Sequence, residues 1–221
     1  MSRVFLPAAT LITLLTLTEA DCGDGGNLVN QTSDANVQYI KDGRDGKTYR
    51  WMSKPIGDKI WMLENLNYQT KSGSWCYGND KSNCDRYGRL YDKNTALKAC
   101  PAGSQLPSPH DWRALAEAVG DTYDIHTQGK GLKAKTGWGW NDEDDKDGNG
   151  TDVIGFSALP GGGRASDGKF HDIGYHGSWW TTQLHTALSY NRDMLYGGFG
   201  MAEHYPIEKE GSSVRCVITV K

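Results

Sequence analysis

The chain lacks an excess of charge of either sign and, beyond its first residues, any long hydrophobic run. Its 221 residues carry 24 Lys and Arg against 27 Asp and Glu, a formal charge of −3. Nucleic-acid binding needs clustered positive charge, so this balance excludes that class of partner. No stretch after Leu17 is apolar enough for a membrane helix, which leaves a covalent lipid as the predicted route to a membrane.

The short motifs of common catalytic families are also missing. No G-x-S-x-G, Walker loop, G-x-G-x-x-G or H-E-x-x-H occurs, and we predict a non-catalytic protein. Enzymes stay open as a third class, because 27 acidic residues offer many candidate carboxylate pairs. His171 and His176, with Asp172 beside the first, could begin a metal site, but two histidines in a glycine-rich surface loop are more often solvated.

The N-terminal residues have the pattern of an export signal. Arg3 precedes an apolar run at 4–17, and Ala20, with Thr18 two positions before it, forms a small-residue cleavage site. We predict a signal peptide at residues 1–20, a flexible tether at 21–37 and one domain at 38–221. The mature chain is then expected to be secreted or held at the outer cell surface.

Five cysteines in an exported chain predict two disulfides and one cysteine left over. Cys22 lies beside the cleavage site and is the natural odd one. Cys76, Cys84, Cys100 and Cys216 then allow three connectivities. We favour Cys76–Cys84 with Cys100–Cys216 over the crossed pairings, because the short loop closes most readily. Cys22 is either a lipidation site or a free or intermolecularly paired thiol.

The periodicity of the chain predicts an α+β fold with short antiparallel strands and long irregular loops. Gly is abundant, at 28 residues, and 8 Trp with 11 Tyr suggest an aromatic core. Residues 48–68 are predicted as two strands around a turn at Gly57 and Asp58, preceded by a turn at 42–48. Two helices are expected, at 91–100 and after Ser108–Pro109, and late strands at 179–184, 187–195 and 213–220.

An acidic loop at residues 142–152 holds five Asp and one Glu against Lys146. Oxygen ligands at this density suit Ca²⁺, the one cofactor that the sequence suggests. The predicted ligands are Asp145, Asp147, Asn149 and Asp152. The alternative is a solvated turn whose repulsion is screened by salt.

The tryptophans divide into two predicted groups. Those in apolar segments are predicted core residues: Trp61, Trp112, Trp179 and Trp180. Those in polar loops are the candidate platform for a sugar ring, with the core as the alternative: Trp75, Trp138 and Trp140.

Several sequence blocks are similar to those of a known family. They are GDKIWMLENLNY (57–68), WCYGND with NCDRYGRLYD (75–92), ACPAGSQLPSPHDW (99–112), GNGTDVIGFSALPGG (148–162), SWWT (178–181) and SVRCV (213–217). In order, they resemble the Fibrobacter succinogenes major paralogous domain over residues 45–219.

The resemblance implies a fold of the C-type lectin-like and formylglycine-generating-enzyme-like group, found on exported or surface-attached proteins. It implies little about activity. The formylglycine-generating enzyme needs two reactive cysteines near its C-terminus, and only Cys216 stands there, so that activity is not expected.

We therefore expect a binding module for carbohydrate, such as a polysaccharide, or for a cell-surface protein. The alternative is a structural or matrix protein that self-associates through its aromatic loops.

Overall fold

The computed structural model describes residues 29–30, 36–120, 129–141, 146–182, 191–197, 201–204 and 209–221. The predicted signal peptide and Cys22 lie outside these ranges. Within the predicted tether, Val29–Asn30 forms a short strand that pairs with the first strand of the domain, which begins at Val37. No helix in the described ranges combines the length and apolarity needed to cross a bilayer.

The described elements are short, as the glycine-rich composition suggests. The helices are α1 (Lys81–Tyr87), α2 (Lys93–Ala96) and α3 (Pro109–Ala118). The strands are β1 (Val29–Asn30), β2 (Val37–Lys41), β3 (Thr48–Met52), β4 (Lys59–Trp61), β5 (Ser74–Trp75), β6 (Leu90–Tyr91), β7 (Trp140–Asn141), β8 (Lys146–Asp147), β9 (Gly161–Arg164), β10 (Phe170–Ile173), β11 (His176–Trp180), β12 (Asn191–Leu195), β13 (Met201–His204), β14 (Ser212–Ser213) and β15 (Val217–Thr219). A 3₁₀ turn covers Tyr77–Asn79.

The largest sheet is centred on β11. This strand pairs antiparallel with β12 along its whole length, and it meets β9 and β14 in parallel at Gly177 and Trp179. The sheet continues from β9 to β10, from β14 through β6 to β5, and from β12 to β13. Separate small sheets join β1–β2–β3, β15–β4 and β7–β8. The fold is therefore mixed α/β, with few helices and several sheets.

Two aromatic clusters form the core. Trp179 lies in the first cluster with Trp61, Trp112 and Phe156, whereas its neighbour Trp180 lies in the second. Successive residues of a strand point to opposite faces, so β11 supplies one indole to each cluster. Trp61 and Trp112 pack edge to face with their ring centroids 4.9 Å apart. The core placement predicted for all four tryptophans is confirmed.

The predicted turns and the second helix agree with the structure. A turn joins β2 to β3, and Ile56 and Lys59 bond to each other around Gly57 and Asp58. Ser108 caps α3 in a capping box with Asp111, and Pro109 is the first helical residue.

Other elements differ from prediction. The first predicted helix is shorter: Asp92 caps it, so it begins at Lys93 and not at residue 91, and i→i+3 bonds tighten the chain after Ala96. Strand β4 pairs with β15 and not mainly with β3. Helix α1 was not predicted, since its only buried residues are Cys84 and Tyr87.

Both predicted disulfides are present. Cys76 bonds to Cys84 beside the 3₁₀ turn, and Cys100 bonds to Cys216 in the second core cluster. The long bridge ties the segment before α3 to the residue preceding β15. The favoured connectivity is therefore confirmed.

A buried arginine joins the two halves of the core. Arg215 is fully enclosed, and its guanidinium donates to Asn65 Oδ1 (2.7 Å) and to the carbonyls of Phe156 (2.6 Å), Ser157 (3.1 Å) and Met62 (3.3 Å). Burial lowers the pKa of Arg215 to about 9, so the group stays charged at neutral pH. Asn65 Nδ2 also lies 3.4 Å from Ser213 Oγ. We call Arg215, Asn65, Ser213 and the three carbonyls the core network.

Candidate functional site

Of the predicted calcium ligands, Asp147 lies in β8, which pairs with β7, and Asn149 and Asp152 follow it. Asn149 Oδ1 accepts the backbone N–H of Trp138 at 3.0 Å. Both carboxylate oxygens of Asp152 accept bonds from Ser157, at 2.7 Å from its N–H and 2.6 Å from its hydroxyl. Asp147 is exposed and accepts the N–H of Asn149. These oxygens brace the loop, and calcium binding here stays a prediction; Asp145 lies outside the described residues.

A buried lysine, Lys133, donates a hydrogen bond to the backbone of the same loop. Lys133 Nζ donates to the carbonyls of Gly148 and Leu195 and lies 4.4 Å from the ring centroid of Trp138. Burial lowers the pKa of Lys133 to about 8. The base of the acidic loop therefore contains a cation that belongs to the chain itself.

The candidate tryptophan platform is not one surface. Trp138 is 5% exposed, lies in the first core cluster and donates its Nε1–H to Ala158 O at 2.9 Å. Its predicted role as a sugar platform is therefore wrong, because its ring is enclosed by the core. The side chain of Trp140 lies outside the description. Trp75 is half-buried, with the Arg164 guanidinium stacked 4.1 Å from its ring centroid.

A polar cleft lies close to Trp75 and was not predicted as a unit. It has a volume of about 380 Å³, which is within the range of small-ligand sites. Strands β9 to β12 and β14 supply most of its lining, including Arg164, His171, Asp172, His176, Ser178, Asn191, Asp193, Glu210 and Ser212. Gly211, also in the lining, lies against the Trp75 ring: a Cβ added there would be 3.5 Å from Trp75 Cε3.

A chain of hydrogen bonds runs from the floor of the cleft to its mouth. Asn191 Nδ2 donates to Ser212 Oγ (2.7 Å) and to Ser178 Oγ (2.9 Å). Ser178 donates in turn to Asp193 Oδ1 at 2.6 Å. Asp193 Oδ2 then lies 3.3 Å from His176 Nε2. We call these five residues the cleft network.

The cleft network fixes its members in place, because Ser178, Asn191, Asp193 and Ser212 are all buried. One acceptor remains open: Asn191 is 1% exposed, and its Oδ1 has no hydrogen-bond partner among the described residues. Buried acceptors are normally satisfied by protein or by bound water or ligand. Asn191 Oδ1 is therefore an enclosed acceptor behind the lining of the cleft, and no described protein donor satisfies it.

Two exposed residues complete the mouth of the cleft. His171 Nδ1 lies 2.9 Å from Asp172 Oδ2, and the His171 ring lies close to Gly163 of β9. A Cβ added to Gly163 would lie 2.7 Å from Cε1 of that ring, so a larger residue there would displace the ring from this position. His171, Asp172 and His176 each bring one ligand atom within 4.8 Å of the others.

The arrangement differs from that of a nucleophilic hydrolase. Ser178 donates its proton to Asp193 and not to His176, so the hydroxyl has no imidazole base. What the cleft offers is a set of fixed donors, acceptors and charges.

Sequence reasoning noticed His171, Asp172 and His176 but set them aside. No sequence pattern indicates that Asp193 and Asn191 belong to a site. Only the pairing of β11 with β12 brings them beside Ser178 and His176. Among the described residues, Asp147, Asn149 and Asp152 do not line this cleft, and Trp75 lies at its edge.

Comparison with known proteins identifies the family. The profile of the Fibrobacter succinogenes major domain matches residues 55–218. No curated protein and no solved structure matches the chain. The matched residues contain both disulfides and every residue of the cleft network. The chain therefore belongs to the Fibrobacter succinogenes major domain family.

Proposed function

We propose that this chain is a non-catalytic binding module of an exported or surface-attached protein, and that the polar cleft takes a carbohydrate. Its fold is proposed to belong to the C-type lectin-like and formylglycine-generating-enzyme-like group. The observation that carries the functional proposal is the combination of a cleft of about 380 Å³, a fixed polar floor and a half-buried indole that lies against two of the lining residues, Arg164 and Gly211.

Carbohydrate matches this combination because a sugar presents hydroxyls on its edge and C–H groups on its face. The hydroxyls can donate to lining carboxylates such as Asp172 and accept from donors such as Arg164. Trp75 lies beside the cleft with Arg164 over its ring, and its partly exposed indole can contact a sugar that extends past the lining. The polar floor is held by buried hydrogen bonds, so little ordering is needed on binding.

The test is retention of the purified chain on insoluble polysaccharides and on a glycan array. Arg164→Ala and Trp75→Ala should lose retention, because they alter the rim of the cleft. Arg113→Ala is the matched control, since Arg113 is an exposed arginine on α3. Retention by none of the glycans, with the wild-type chain folded, would reject carbohydrate as the ligand. Equal loss in Arg113→Ala would show that binding is only electrostatic.

A protein partner is the other ligand class that this surface suits. Pull-down of a single cell-surface protein, lost in Arg164→Ala and kept in Arg113→Ala, would assign the cleft to a protein instead of a glycan.

Self-association is a second candidate function, favoured by one exposed apolar patch. Tyr175 and Leu195 are 50% and 54% exposed, and Tyr175 packs edge to face on Tyr196 with their ring centroids 5.1 Å apart. Sedimentation at increasing concentration tests it. A structural protein should form oligomers that Tyr175→Ser with Leu195→Ser disrupts, whereas a monomer at all concentrations would argue against this function.

A further inference from the structure

We propose that His171, Asp172 and His176 bind a divalent transition-metal ion, with zinc as the expected ion, at the mouth of the cleft. The inference is independent of the proposed ligand, because a metal site can form whether or not the cleft binds a carbohydrate.

The first argument is the identity and spacing of the ligand atoms. Two imidazoles and one carboxylate are a common donor set for zinc. In a tetrahedral site with bonds of about 2.0–2.1 Å, ligand atoms are about 3.4 Å apart. The three atoms here already lie within 4.8 Å of one another, and His171 Nδ1 is 2.9 Å from Asp172 Oδ2. Because His171 and Asp172 are exposed, small side-chain rotations can close the set around an ion.

The second argument is the support behind His176. Histidines that bind metals usually donate their other ring N–H to a carboxylate or carbonyl, which fixes the ring. Asp193 is placed for this role, 3.3 Å from His176 Nε2, and its side chain is only 12% exposed. Ser178 and Asn191 hold Asp193 in turn. A solvated surface histidine needs no such buried chain behind it.

The third argument is charge. Among the residues that line the cleft, Asp172, Asp193 and Glu210 provide three negative charges and Arg164 one positive charge, which leaves −2 when the histidines are neutral. This charge favours a cation. The imidazoles favour zinc and its neighbours over Ca²⁺ or Mg²⁺, which prefer oxygen ligands.

Three protein ligands leave one position of a tetrahedral ion open. Since the three residues line the cleft, that position is available to water or to an oxygen of a molecule bound there. The ion would then be part of the binding surface.

The experiment is zinc titration of the chelator-treated chain by calorimetry, with Co²⁺ absorption as a second readout. The wild type should bind one ion at this site, and Co²⁺ should give the intense absorption of a tetrahedral complex. His171→Ala and His176→Ala should each weaken binding by more than about 100-fold, and Asp193→Asn by about 10- to 100-fold. Circular dichroism confirms that each variant is folded.

His110→Ala is the matched control, because His110 is an exposed histidine on α3. It should bind zinc as the wild type does. Zinc binding that survives in both His171→Ala and His176→Ala would overturn the proposal, as would equal weakening in His110→Ala. Glycan retention measured in chelator tests the proposed function separately, so failure of one does not decide the other.

Discussion

Two buried polar networks meet at β14 and end in different places. Ser213 lies beside Asn65, in the core network around Arg215, whose hydrogen bonds end on the carbonyls of Met62, Phe156 and Ser157. Ser212 belongs to the cleft network, which ends on His176 at the surface. Adjacent strand residues point to opposite faces, so two consecutive serines serve two different networks.

The difference separates stability from binding. In the core network, donors and acceptors satisfy one another inside the protein, so the network holds segments together but offers nothing to a ligand. The cleft network leaves Asn191 Oδ1 unsatisfied and presents an oriented histidine to solvent. A bound molecule can reach the cleft network at His176, which lines the cleft, whereas the core network ends on enclosed carbonyls.

The largest expected effect concerns the two disulfides, of which only Cys100–Cys216 lies in a core cluster. Cys100–Cys216 closes a loop of 116 residues in the core, and Cys76–Cys84 closes a loop of 8 beside the 3₁₀ turn. In the chain-entropy model, removal costs about 5 and about 2.5 kcal/mol respectively. Urea unfolding of the paired serine variants measures both losses, and equal losses would contradict the model.

The next effect tests the two networks directly. Arg215→Met should cost about 3–5 kcal/mol, because it leaves three core carbonyls without their donor. Ser212→Ala should cost only about 1 kcal/mol, since Asn191 keeps its bond to Ser178. Urea unfolding gives both values. If Ser212→Ala were as damaging as Arg215→Met, the cleft network would be a main support of the fold.

Lys133 is a buried cation that belongs to neither the core network nor the cleft network. Its folded pKa is about 8 and its unfolded pKa about 10.5, so the unfolded chain binds more protons between these pH values. Stability from this group therefore rises with pH across that window, by up to about 3 kcal/mol. The unfolding free energy of the wild type should therefore rise relative to that of Lys133→Met between pH 8 and 10.5. A constant difference would show that burial does not shift this pKa.

The smallest effect is expected from calcium at the acidic loop. Asn149 and Asp152 already accept protein hydrogen bonds, so we expect weak binding. At a calcium concentration equal to Kd the gain is about 0.4 kcal/mol. Melting curves in calcium and in sodium chloride of matched ionic strength measure it. Asp147→Asn should remove the difference, and identical curves for the wild type would remove calcium from this loop.

Local chemistry was predictable from the sequence. Ser108 and Pro109 start a helix by capping alone, and Cys76 and Cys84 pair because they are close in the chain. These features depend on residues within about one turn or loop of each other.

Features that depend on distant pairing were not predictable. Trp138 has the sequence context of an exposed loop, yet Ala158 and Lys133 enclose it. Asp193 becomes a partner of His176 only because β12 returns along β11. The cleft is formed by several strands that no local pattern brings together.

The bare backbone of β9 at Gly163 also gives a way to compare relatives of this chain. The His171 ring occupies its present position because Gly163 has no side chain. A family member with alanine or a larger residue there would have to move its imidazole away, even if both histidines were kept. One glycine, read together with the two histidines, should therefore sort the family into members that can assemble this surface and members that share only the scaffold.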